Sequence, residues 1–582
     1  MRKILTGLAL ASALLVGTAL AQGDTYVYQT GAGAVDSLDP TQAYDTASGA
    51  IIENVYETLY GYVGGSATEY QGALATDWSV NEAGDQFTYT LREGVTFHSG
   101  NPFTCADVEY TFERLLVHNP SDAGGWFLSE SFLGTQANAD AFLGEDASDA
   151  AYAEHFARIQ NAVECVDDFT VQFNLNAPDP TFFVKMMSGP AHIVDRAFAV
   201  ENGLWDGTEA TWRDWVNVNL REHHLHDNVS GTGAYQLVEW DGNTVVAERF
   251  DGYWGEAPDV QNVVIENVEE QSTRLLAIQA GDADRIFVSD RAALEQIRGA
   301  SGVTVHEDPD WVSTTVTMIF FNQDINMENN PDVGSGQLDG RGIPSNFFAD
   351  ADMRKCFAYN FDQETYIEQV QQGAGQALTM GLPPSFLGYN DDLPVYSANF
   401  ELAEEACRAA HGGAVWEEGF EFTATHNAGN IQRQTALEII KDNIEFMNPG
   451  FRMNVRALAW PDFLAYTDEQ KGTMFGLGWA PSYADSDYFL HPFYHSEGFY
   501  SPRTALNDPE LDALIDEART IFGDADARAA LYQQVGQVAY DTMPMLPLPA
   551  QELFVVTRDN VEGIYINPMY GGQFRWKDIV KN

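Results

Sequence analysis

Met474-Phe475-Gly476-Leu477-Gly478-Trp479-Ala480-Pro481-Ser482-Tyr483-Ala484-Asp485-Ser486-Asp487 is a short apolar strand that runs into a turn carrying a tryptophan, a tyrosine and two acids. Tryptophan is costly to expose, and a glycine beside it lets another backbone or a ligand come close. The pattern predicts a pocket at the C-terminal end of a strand in an open α/β domain. Core packing is the competing role for Trp479, and capping of the turn is the competing role for Asp485.

The chain around this stretch is long and acidic. Its 582 residues are 45% hydrophobic and 12% aromatic, enough for at least two folding units. The formal charge is -56, which argues against nucleic acid or an anionic membrane surface as partner. The acids are spread along the whole chain, as in a solvated surface.

Arg2 and Lys3 precede an apolar run from Ile4 to Leu20, and Ala19-Leu20-Ala21 offers small residues where a signal peptidase reads. Residues 1–21 are therefore expected to be a cleaved leader. The run is short for a membrane anchor, and no later stretch is long and apolar enough to cross a bilayer. The first cysteine is Cys105, far from the cleavage site, so no lipid anchor is expected on the N-terminus. The expected compartment is periplasmic or extracellular. There the four cysteines, Cys105, Cys165, Cys356 and Cys407, read as two disulfides. Sequence proximity favours 105–165 and 356–407, although spacing leaves the other two pairings open. No Cys-x-x-Cys pair points to zinc.

Elements alternate without internal repeats. Thr25 to Gln29 reads as a strand, and Ser48 to Tyr60 has helical spacing, with Ile51, Ile52, Val55, Tyr56 and Leu59 on one face. Phe87 to Arg92 alternates as a strand. Thr104 is placed to cap a helix, with Asp107 three residues later. Leu38-Asp39-Pro40, Asn54-Val55-Tyr56-Glu57, Leu91-Arg92-Glu93-Gly94-Val95 and Phe103-Thr104-Cys105-Ala106-Asp107-Val108 follow one another in the first hundred or so residues. Gly231-Thr232-Gly233-Ala234-Tyr235, Asp251-Gly252-Tyr253-Trp254, Phe320-Phe321-Asn322, Met353 to Asp362 and Asn507 to Asp512 come later.

In that order these segments resemble the peptide/nickel-type (family 5) extracellular solute-binding proteins, the receptors of ABC importers, over essentially the whole mature chain. The resemblance implies an α/β fold of the two-lobed periplasmic-binding-protein type, with an additional subdomain in lobe I. It implies a peptide or similar polar solute as ligand, an ABC permease as partner, no cofactor and a monomer. Lobe I is expected over residues 22–315 and again over 550–582, with lobe II over 316–549. Thr314 to Asn322 and Met543 to Pro549 are the expected crossings, extended and apolar, the second stiffened by its prolines. Lobe closure on the ligand is the expected motion.

In peptide-binding relatives an acid four residues after the glycine of Gly-Trp pairs with the peptide ammonium. Here that position is Ser482, which can hydrogen-bond but cannot neutralise a charge. Asp485 is the candidate substitute, Trp479 the flat surface and Tyr483 a hydroxyl. The resemblance brings Tyr44, Ser48 and Asn322 to the cleft. It also sets Arg433, in a helix expected from Arg433 to Phe446, near a carboxylate-binding arginine; an exposed surface position is the alternative. Because one fold hosts many ligands, an oligosaccharide or a metal chelate is the alternative solute.

His223, His224 and His226 form a local cluster that could hold a metal, but three ligands on one segment lack a fourth. No metal site is expected. Catalytic signatures such as His-Glu-x-x-His or Gly-x-Ser-x-Gly are absent, so an enzyme is not expected and a secreted hydrolase is a distant alternative.

Overall fold

A computed structural model describes residues 24–31, 35–144, 146–289, 291–570 and 574–582. The expected leader, residues 1–21, lies outside them. Three sheets organise the molecule. An eight-stranded sheet runs in the order Val303–Val312, Ala550–Arg558, Arg285–Ile286, Thr25–Thr30, Asn262–Asn267, Thr244–Arg249, Tyr235–Trp240, with Gly375–Gln376 paired onto Ala550–Arg558. A five-stranded sheet runs Phe451–Leu458, Phe420–Asn427, Met474–Trp479, Val316–Phe321, Met545–Pro547. A four-stranded antiparallel sheet, from Ala75–Val80 to Val163–Asp167, belongs to a further unit on the first lobe.

Apart from the two-residue pairing of Gly375–Gln376 at the start of Ala550–Arg558, the chain passes between the two large sheets twice. Val303–Val312 belongs to one and Val316–Phe321 to the other; Met545–Pro547 and Ala550–Arg558 make the return. The expected crossings are therefore mostly strand, and only residues 313–315 and 548–549 lie between the sheets. The backbone satisfies itself there. Leu548 N–H donates to the Thr317 carbonyl at 2.9 Å, and Ser313 N–H to that of Gln551 at 2.8 Å.

The sequence motifs build the first lobe. Arg114, in helix Cys105–His118, is fully buried and holds Asp39 through both its carboxylate oxygens, with Thr41 at 2.7 Å. This bolts the Leu38-Asp39-Pro40 turn to the helix. Glu57 is the meeting point of three distant motifs. It accepts from the Thr232 hydroxyl at 3.0 Å, the Tyr253 hydroxyl at 3.0 Å and the Trp254 indole at 2.8 Å. Burial nevertheless raises its pKa. That anchoring also shortens the preceding helix, which spans Thr46–Val55 and gives way to extended backbone at Tyr56, short of the expected Tyr60. Gly231 is required here, since a Cβ on it would lie 2.0 Å from the Val55 carbonyl oxygen.

Thr104 caps as expected, and its N–H donates to the Asp107 carboxylate at 2.9 Å. The disulfides pair Cys105 with Cys165 and Cys356 with Cys407. The first ties the start of a helix to the four-stranded sheet. The second joins helices Ala351–Ala358 and Phe400–Ala409 in the other lobe.

Candidate ligand site

Strand Met474–Trp479 is central in the five-stranded sheet and ends at the seam between the lobes. Trp479 is half-buried. Its indole N–H donates to the Tyr488 carbonyl at 2.7 Å, and its ring meets Phe499 at 5.0 Å between centroids. From the first lobe, Trp126 stacks on Tyr488 at 6.1 Å and Tyr44 brings its hydroxyl to 2.9 Å from that of Tyr488. The Ser482 hydroxyl lies 2.8 Å from Tyr488 on the other side. Tyr44, Tyr488 and Ser482 therefore form one chain of hydroxyls across the seam. Burial pushes the Tyr488 phenol well above its ordinary 10, so the chain is neutral and can only exchange hydrogen bonds.

Arg433 lies beside this strand. It sits in the first turn of helix Ile431–Met447, whose cap Asn430 accepts the Arg433 backbone N–H at 3.0 Å. Its stem passes 3.2 Å from where a Cβ on Gly476 would be, and its Nη2 lies 3.1 Å from the same point on Gly478. The two glycines are the groove in which the side chain runs. Arg433 is thus half-buried, contrary to the alternative of an exposed surface position. Nη1 donates to Asn427 at 2.7 Å, Nε is buried without a partner, and no carboxylate pairs with the guanidinium among the described residues. Burial lowers its pKa, opposed by Tyr500 and Tyr366.

Other expected site residues have structural work instead. Both Asp485 oxygens accept from Arg528 at 2.8 Å, and both side chains are less than a tenth exposed. The acid is already neutralised and offers no charge to a ligand. Tyr483 is buried in the core of the first lobe's extra unit, with Phe127 at 5.2 Å and the Lys185 ammonium 5.4 Å above its ring. It therefore latches the two lobes together. Ser48 is fully buried, and its hydroxyl accepts the N–H groups of Asp36 at 2.9 Å and Ser37 at 3.2 Å. Asn322 is also fully buried, donating to the carbonyls of Gln470 at 2.8 Å and Gly472 at 2.9 Å. Both hold turns that would otherwise carry unpaired backbone groups.

Tyr488, Trp126 and Phe499 were not among the expected residues. The Gly124-Gly125-Trp126-Phe127 run is a signal of the same kind as Gly478-Trp479, in the opposite lobe. The histidines of the 223–226 segment diverge: His223 packs on Trp215 at 4.9 Å, His224 on Phe198 at 5.4 Å and His226 on Trp240 at 5.3 Å. Among the described residues no group of three or more His, Cys, Asp or Glu is placed to hold a metal ion.

Two α/β lobes joined by a double crossing, with aromatic rings, neutral hydroxyls and one unmatched guanidinium at their seam, define a two-lobed solute receptor. Residues 69–501 match the middle region of the bacterial extracellular solute-binding proteins, family 5, and the chain belongs to that family. Curated relatives include heme-binding protein A of Haemophilus influenzae, 25% identical over 94% of this chain and 91% of that protein. The dipeptide-binding protein of Escherichia coli is 23% identical over 97% of this chain and 96% of its own. Among solved structures, the periplasmic binding protein DppA of Helicobacter pylori, in complex with the peptide STSA, superposes with a TM-score of 0.70. It is 20% identical and is covered over 98% of its length by 96% of this chain. Among the described residues no helix is long and apolar enough to cross a membrane.

Proposed function

We propose that this chain is the exported receptor of an ABC importer that captures a short peptide, or a peptide-like carboxylated solute, between its lobes and releases it unaltered to the permease. Residues 22–315 and 550–582 act as one lobe and 316–549 as the other, hinged at the two short crossings. Exposed after removal of a leader at residues 1–21, the receptor works as a monomer. The observation that carries this reading is Arg433. A half-buried guanidinium with no carboxylate partner is unfavourable unless something anionic arrives. A ligand carboxylate supplies that charge in the fork geometry arginine offers. Trp479, Trp126 and Phe499 provide flat apolar surface for side chains, and the hydroxyls of Ser482, Tyr488 and Tyr44 provide partners for amides.

Asp485 is not free to meet the ligand's other end, because it belongs to Arg528. That favours ligands whose amine is absent, blocked or solvent-facing. It also gives specific support to a second reading, in which the solute is a carboxylated compound other than a peptide. Calorimetry of the mature protein with a free tripeptide, its N-acetyl form and its C-terminal amide tests the assignment. Binding of the first two and a marked loss for the amide is the expected result. Mass spectrometry of the recovered peptide checks that it is intact; cleavage products would overturn the receptor reading in favour of a hydrolase.

A further inference from the structure

Helix Cys105–His118 has a second polar face that the seam does not use. Glu109, Tyr110 and Glu113 line a cavity of about 180 Å³ in the first lobe's extra unit, with Gln160, Arg196 and Gly207 as its other walls. The Asp107 carboxylate accepts the Arg196 backbone N–H at 3.2 Å, so the start of helix Arg196–Glu201 is bolted to the start of this one. Tyr110 donates to the Trp205 carbonyl at 2.8 Å and stacks on that indole at 6.0 Å, which fixes the floor. At Gly207, with φ of +80°, a Cβ would lie 3.6 Å from the guanidinium of Arg196; glycine leaves the space beside it clear.

Glu113 is only 9% exposed, yet its carboxyl makes no hydrogen bond or ion pair among the described residues. Glu109 and Arg196 are likewise without hydrogen-bonded or ion-paired side-chain partners there, although all three line one cavity. Elsewhere in this chain arginines near acids close on them directly, as Arg114 does on Asp39 and Arg528 on Asp485. The Glu113 oxygens face the cavity instead of a protein donor, and helix capping does not explain their place, because Thr104 and Asp107 already form the cap of this helix. Burial and the neighbouring Glu109 push Glu113 up to about 7, opposed by Arg196. Opposite charges held apart across a small space match a molecule that carries both.

We propose that this cavity is a second binding site, separate from the seam, for the zwitterionic head of a small free amino acid. The ammonium sits between Glu109 and Glu113 and the carboxylate on Arg196. A space of about 180 Å³ is enough for the head group of a small amino acid.

The test uses the whole mature protein carrying Arg433→Met, so that the seam cannot grip the carboxylate. L-alanine, methylammonium chloride and sodium acetate are titrated at equal ionic strength and followed by calorimetry. Saturable binding of L-alanine is expected, at least tenfold tighter than either single ion. Glu113→Gln and Arg196→Met, each added to that background, should weaken it at least tenfold. In the otherwise wild-type protein, Glu113→Gln should leave tripeptide binding at the seam within twofold, which also reports an intact fold. Glu109→Gln serves as a second variant of the ammonium subsite. No saturable binding of L-alanine would overturn the proposal. So would binding indifferent to both substitutions, or methylammonium binding as tightly as L-alanine, which would mark a cation cavity only.

Discussion

Two charged residues flank the end of strand Met474–Trp479 and have opposite fates. Asp485, six residues beyond the strand, is locked by a bidentate pair with Arg528. Arg433, packed along the strand's glycines, has one amide oxygen and no counter-charge among the described residues. By residue type the acid was the stronger ligand candidate, because a peptide ammonium needs one. The comparison teaches that a charge available to a ligand is one the protein has left unmatched. A buried pair whose geometry is complete is part of the framework, and removing one partner strands the other.

The largest effect expected from this contrast is on stability. Asp485→Ala leaves Arg528 buried and unpaired, and should cost about 3–5 kcal/mol in chemical denaturation. Adding Arg528→Met should recover much of that loss. A stable Asp485→Ala protein that no longer binds peptide would reverse the comparison and return the acid to the ligand site.

Arg433→Met should do the converse. A charge-assisted hydrogen bond contributes about 1.5–3 kcal/mol, so affinity for a free-carboxylate peptide should fall about 10- to 150-fold with little change in melting temperature. The C-terminal amide should change less than about threefold, since it never made the charged contact. Equal losses for both peptides would place Arg433 in the scaffold beside Asp485.

A smaller effect concerns the other end of the ligand. Wild-type protein should distinguish a free from an N-acetylated peptide by less than about threefold, as neutral hydroxyls do not reward a charge. Ser482→Asp should introduce a preference of about tenfold for the free amine. Strong preference for the free amine in the wild type would mean that an acid other than Asp485 reaches the ligand.

The smallest effect extends the contrast to Glu113, another unmatched charge. Its folded pKa of about 7 lies above an ordinary 4.5. Between those values the folded state binds more protons than the unfolded, so this group's contribution favours folding increasingly as pH falls from about 7 to 4.5 and is flat below. Relative to Glu113→Gln, the wild type should therefore lose stability as pH is raised through that window. Parallel stability curves for the two proteins would show that Glu113 has a partner in solution.

The residues most legible in sequence proved to be scaffold. Asp39, Glu57, Gly231 and Trp254 belong to recognisable motifs, and each is spent on holding the first lobe together. Tyr483 and Asn322, assigned to the ligand, are scaffold as well, the first latching the lobes and the second holding a turn of the second lobe. The proposed site was half legible. Trp479, Ser482 and Tyr44 meet at the seam, while Tyr488, which joins them, carried no signal because a tyrosine in a short helix reads as core.

What the sequence by itself determined is what short-range chemistry determines: the Thr104 cap, the strand periods, the turn at Gly478-Trp479 and the family to which the ordered motifs point. Tertiary structure alone decided which charges cancel. Asp485 meets an arginine 43 residues away, whereas Arg433 reaches only an amide six residues back. Caps and periodicity act within a few residues and are written locally, but the match of a buried charge depends on which distant side chain folding delivers to it.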